Sequence, residues 1–201
     1  MPLTLIRPAP ELGASAYHME WDGTRVFAVI EPSVDAERGR ELAASTIGAQ
    51  GIGKWPLLSV EPFEHGSAWL YPFHGGSSLV PMVDGALLPL RTSLDLLTIL
   101  ASHLQASTDV HPGPRPEDVL VDAEGAVSLV GWTAPSGPGV ARIAPGHGSP
   151  QATQVYRLGV LAAELLSGTS PLAQPTPEAH AAMIRRAMSR ILSRPGPMVP
   201  D

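Results

Sequence analysis

The stretch His111-Pro112-Gly113-Pro114-Arg115-Pro116-Glu117-Asp118-Val119-Leu120-Val121-Asp122 decides how the rest of the chain is read. It opens as a proline-rich turn and ends as β-forming sequence. Val119-Leu120-Val121 and Val127-Ser128-Leu129-Val130 are short β-branched runs separated by Asp122-Ala123-Glu124-Gly125, the pattern of a β-hairpin. Upstream, Ser93–Ala106 places Leu94, Leu97, Ile99, Leu100 and Leu104 at helical spacing. Downstream, Thr133–Pro150 is rich in glycine and proline and reads as an irregular loop. Val155–Leu166 reads as an apolar helix stopped at Gly168, and Glu178–Leu192 as a second, with Arg185, Arg186 and Arg190 on one side.

The first third has a different period. Arg25–Ile30 is β-rich and follows an Asp22-Gly23 turn, with Trp21 ending a strand paired to it. Asp35 caps a helix predicted to reach Ala49. Leu57–Val60 and Ala68–Tyr71 are two further strands with Gly66 in the turn between them. The plan is α+β, with a β-rich N-terminal lobe over residues 1–74, a helical C-terminal lobe over 75–194 and a flexible tail over 195–201. There is no internal repeat.

Composition narrows the function classes. The 201 residues are long enough for one domain or two small lobes sharing a cleft. With 13 basic against 19 acidic side chains the net charge is −6, and no basic face marks a nucleic-acid partner. Lys54 is the sole lysine, so any mechanism that needs a lysine must use it. The absence of cysteine excludes disulfides, zinc–cysteine sites and thiol nucleophiles. Met1–Pro10 lacks the apolar stretch of a secretory signal, and no apolar run is long enough to insert in a membrane. A cytoplasmic protein is expected.

His111–Asp122 resembles, without a gap, the catalytic loop of bacterial Ser/Thr protein kinases, HRDLKPENVLVD. Val155–Leu161 and Glu164–Gly168 resemble that family's VYSLGVLLYELLTG helix. Asp22–Ile30 is similar to the strand that ends in the catalytic lysine, and His74–Leu79 to the segment after the interlobe hinge. The likeness covers roughly Gly13 to Pro171. It implies a two-lobed kinase-like fold whose C-terminal lobe is shortened. It also implies a nucleotide cleft bordered by Gly13, Ala28, Leu70, Tyr71, Phe73 and Leu120.

Phosphoryl transfer needs a lysine on the phosphates, metal-binding Asp and Asn residues, and an Asp beside the attacking hydroxyl. By the resemblance these positions hold Ile30, Gly131 in Gly131-Trp132-Thr133, and Gly113, with Pro112 before it. Asp118 replaces the metal-binding Asn and is the one remaining metal candidate; the alternative for it is a solvated turn residue. One glycine of the usual three remains at Gly13, and Gln154 stands for the helix Asp that tethers the loop. Lys54 lies in Gly53-Lys54-Trp55-Pro56, expected on the outside of the small lobe. The chain reads as a pseudokinase, with no catalytic residues and with ATP and Mg²⁺ binding doubtful.

Other motifs fall away. Gly48–Trp55 approaches a P-loop, but Trp55 replaces the metal-binding hydroxyl and the segment follows a helix. His74-Gly75-Gly76 has no accompanying nucleophile elbow, and the histidines lack metal spacing. His111 reads as a packing residue of the loop and Trp132 as core. Three functions compete. The first is a protein-binding regulatory or scaffold module, docking through Pro112–Pro116, Ala134–Pro150 or the helix Glu178–Leu192, whose apolar side a partner or a second copy would cover. The second is a nucleotide sensor without catalysis. The third is a divergent kinase using Asp109, Asp118 or Asp122.

Overall fold

The computed structural model describes residues 3–12, 15–64, 66–73, 75–81, 88–107, 111, 113–132 and 149–167, with isolated helical positions between 179 and 189. Gly13, Pro112, the 133–148 segment, Gly168 and most of the helix expected over 178–192 lie outside the described residues.

Five antiparallel strands form the first sheet: β1 (Leu3–Pro8), β2 (Ala16–Trp21), β3 (Thr24–Glu31), β4 (Ser59–Phe63) and β5 (Gly66–Pro72), in the order β1-β2-β3-β5-β4. The Asp22-Gly23 turn joins β2 to β3, both residues at positive φ. Strand β1 has no counterpart in the sequence reading, since it is exposed along nearly its whole length and carries no alternation. Gly66 begins β5 rather than sitting in the turn, because a Cβ there would strike the Glu31 carbonyl of the neighbouring chain segment.

Helix α1 (Ala36–Ala43) packs on β4 and β5. Asp35 caps it, accepting the Arg38 backbone N–H at 2.8 Å. It ends six residues before the predicted Ala49. The Thr46 hydroxyl donates to the Ala43 carbonyl at 3.0 Å, an alternative to helical bonding, and Gly48 then turns at φ +71.

The second sheet has three strands: β6 (Ser77–Ser78), β7 (Val119–Val121) and β8 (Val127–Leu129), with β7 and β8 forming the expected hairpin. Helices α2 (Leu90–Ala106) and α3 (Pro150–Ser167) pack with it around Leu79, Leu100, Leu129 and Leu161. Helix α2 buries Leu96, Leu100 and Leu104, while Leu94 and Ile99 face out, so the apolar stripe is rotated from the one read in the sequence. Helix α3 begins earlier than predicted: the Ser149 hydroxyl accepts the Ala152 N–H at 3.2 Å, and Pro150 occupies the first turn.

Backbone pairing ties the two sheets together. Residues 53–55 run beside β8 like an added strand: Gly53 O accepts from Leu129 N at 2.7 Å, and Trp55 N donates to Leu129 O at 2.9 Å. This corrects the expectation that Lys54 lies on the outside. Its Nζ sits 4.6 Å from the centre of the Trp132 ring, at the seam between the two sheets. Gly53 has φ +69, and His103 of α2 fills the place a side chain would take.

Candidate functional site

The 111–132 segment is fixed from within. His111 is fully buried; its Nδ1 accepts the Gly113 N–H at 3.0 Å and its Nε2 lies 2.8 Å from the Val130 carbonyl. Those partners set the tautomer, with the proton on Nε2. Burial holds the imidazole below its ordinary pKa, against the pull of Asp118 and of the Val130 carbonyl. Trp132 meets the ring edge-on at 5.1 Å and donates its indole N–H to Leu129 O at 3.1 Å. His111 and Trp132 are therefore packing residues.

Asp118 is buried, not a solvated turn residue. Arg115 grips it bidentately, Nε to Oδ2 at 2.7 Å and Nη2 to Oδ1 at 2.6 Å, and the Arg115 backbone N–H adds a third bond at 3.1 Å. Glu117 approaches the same guanidinium at 3.3 Å. Burial works against the Arg115 charge, but Asp118 more than offsets it and keeps the guanidinium firmly protonated. Sequence reasoning passed over Arg115. Its signal was an arginine three residues before an aspartate across a single turn.

Gly113 has φ +114, and the aliphatic part of Arg157 from α3 occupies the space where its Cβ would project. An L-residue at 113 would be strained and would also have to displace Arg157.

Strand β3 supplies the facing wall. Alternation puts Phe27 and Val29 with the cluster that contains Tyr71, Leu120 and Val130, and puts Ala28 and Ile30 with Met19, Val26 and Leu70 on the other face. Glu31, not Ile30, therefore lines the cavity opposite Arg115 and Asp118. Its carboxyl is half-buried, and desolvation raises its pKa against the pull of Arg115.

The expected cleft residues are thus divided. Tyr71 and Leu120 come together, with Phe27 stacked on Tyr71 at 4.9 Å and the phenol bonded to the Gly131 backbone; burial pushes that phenol far above its usual pKa. Ala28 and Leu70 share the opposite face of the sheet. Phe73 is half exposed beside His18, and Gly13 lies outside the described residues.

The connection between β1 and β2 folds down over this set. Ala9 and Leu12 are buried in one cluster with Tyr71, Leu120 and Val130. Glu11 O accepts from both Ser78 N, at 2.7 Å, and Ser78 Oγ, at 3.0 Å, which fastens the connection to β6. A cavity of about 240 Å³ remains beside this contact. Leu12, Ala16, Val29, Val80 and Val130 form its apolar wall; Ser15, Glu31, Arg115, Glu117 and Asp118 form its polar wall.

These residues do not suit a magnesium–nucleotide complex. Both Asp118 oxygens are engaged by Arg115, the group facing them from β3 is an acid, and Gly131 offers no carboxylate. Among the described residues no three His, Asp or Glu side chains converge as a metal set. No described helix is long and apolar enough to cross a membrane.

No protein-family model and no curated relative match this chain. Many solved structures do. One is the kinase domain of Mycobacterium tuberculosis PknI, crystallised as a point mutant. It superposes with a TM-score of 0.64 over 87% of this chain and 78% of that one, at 18% identity. The likeness is one of fold: the chain has a protein-kinase-like fold, mixed α+β, with a β-sheet N-terminal part followed by helices.

Proposed function

We propose that this chain is a pseudokinase, a two-lobed kinase-like domain that has lost phosphoryl transfer and serves as a protein-binding regulatory or scaffold module in the cytoplasm of a bacterial cell. One observation carries the reading. Where the kinase loop presents a carboxylate to the attacking hydroxyl, this chain has Gly113 at positive φ with Arg157 packed into the missing side chain's place. A base must stand within hydrogen-bond reach of the proton it takes, and no side chain can stand there. The burial of Leu12 in one cluster with Leu120 and the acid at Glu31 support the same reading, since each removes something a nucleotide needs.

The test has two arms. Thermal shift with ATP or ADP, with and without Mg²⁺, is expected to show no rise at millimolar nucleotide. Labelled ATP is expected to transfer nothing to the chain or to generic substrates. A shift without transfer would favour the nucleotide sensor. Transfer abolished by Asp118→Ala would favour the divergent kinase, and either result overturns the module. Partner capture is the step after a negative result. The docking residue to mutate first is Pro116 in the 112–116 turn, since Arg115 is needed to hold Asp118.

A further inference from the structure

We propose that the 240 Å³ cavity between β3 and the 115–118 turn binds a small organic cation, a primary ammonium carried on a compact apolar body. Charge counting gives the sign. Among the described residues the charged groups facing the cavity are Glu31, Arg115, Glu117 and Asp118, three acids against one base. The base is already committed to acids: Asp118 holds it on two nitrogens and Glu117 approaches the third. An entering anion would meet the surplus of acids and would compete with Asp118 and Glu117 for Arg115. An entering cation would meet Glu31, whose carboxylate has no hydrogen-bond or ion-pair partner among the described residues.

Size and polarity give the class. An apolar cavity of about 150 Å³ accepts benzene, so a space of this volume holds a ring-sized body with a charged tip. Leu12, Ala16, Val29 and Val130 would bury the body, and Glu31 would take the ammonium. A half-buried acid placed opposite an already neutralised pair costs the fold stability unless something compensates it. A bound ammonium supplies that compensation. The inference goes beyond the loss of catalysis and does not depend on it, because the cavity would select cations in an active or an inactive protein.

The experiment is a thermal-shift and calorimetric titration of the full chain with benzylammonium, benzyl alcohol and benzoate, in wild type and in Glu31→Gln. At about ten times Kd, a ligand that binds only the native state raises Tm by roughly 3–6 °C for a chain of this size. Benzylammonium is expected to give such a rise at millimolar concentration, and benzoate none. Glu31→Gln is expected to weaken the ammonium by at least about tenfold and to leave benzyl alcohol unchanged. Equal binding of alcohol and ammonium would show an apolar hole without charge selection and would overturn the proposal. So would stronger binding of benzoate, or an ammonium response that survives Glu31→Gln. The ATP arm above is read separately: a nucleotide shift breaks the pseudokinase reading, and only the amine series decides this one.

Discussion

The two walls of the cavity differ in how completely their polar groups are satisfied. On the loop wall, His111, Arg115 and Asp118 each find partners within the 111–130 segment. On the strand wall, Glu31 is half-buried, desolvated, and acted on by Arg115 and Asp118 in opposite senses. The loop wall is chemically quiet because its polar groups are paired with one another. The strand wall keeps an uncompensated charge, and that is where a ligand or a substitution can still change the free energy.

Breaking the satisfied wall should have the largest effect. Arg115→Ala strands the Asp118 carboxylate, and losing one partner of such a pair costs about 3–5 kcal/mol. Urea unfolding should place it near the lower end, since Arg115 is itself partly exposed; a change within about 0.5 kcal/mol would show that the pair is not held in solution. His111→Ala comes next, at about 2–4 kcal/mol, because it leaves Gly113 N–H and Val130 O unpaired and opens a hole beside Trp132. Gly113→Asp, which restores the kinase side chain, should cost about 1–3 kcal/mol and bring no transfer, because backbone strain and Arg157 both oppose it. Recovered phosphorylation in that variant would show that the loop rearranges.

The unsatisfied wall should respond weakly and with the opposite sign. Glu31→Gln should raise stability at pH 7 by about 0.5–1 kcal/mol, because an amide needs less solvation than a half-buried carboxylate. The pH profiles sharpen the contrast. Glu31 has a folded pKa above its unfolded one, so its contribution is present in acid and is lost as pH rises through the folded value. His111 has a folded pKa below its unfolded value of 6.5, so its contribution is present in neutral solution and is lost as pH falls below that value. Stability measured from pH 4 to 8 in Glu31→Gln and His111→Ala should show each variant flattening its own part of the curve.

The hairpin was legible because two β-branched runs around the Asp122-Ala123-Glu124-Gly125 turn admit few other conformations. The start of α3 was missed: Ser149-Pro150 is a capping signal, but the glycine and proline around it read as loop. Strand β1 left no trace, since an edge strand exposed along nearly its whole length needs no alternation. The site was harder. Its losses at Gly113 and Gly131 are visible as residue types, whereas the face of β3 depends on a one-residue phase. Taking Phe27 as inward makes Val29 and Glu31 inward too, and turns Ile30 away. Burial of the β1–β2 connection in the cluster that holds Leu120 was beyond reach, because Ala9 and Leu12 carry no local signal of what they will pack with.

The seam formed by residues 53–55 has a practical consequence. Lys54 is the chain's sole lysine, and it lies where one sheet meets the other, over the Trp132 face. Amine-directed reagents therefore have a single side chain to find. Its acylation rate, followed against the tryptophan fluorescence it neighbours, becomes a built-in gauge of how often the two halves part.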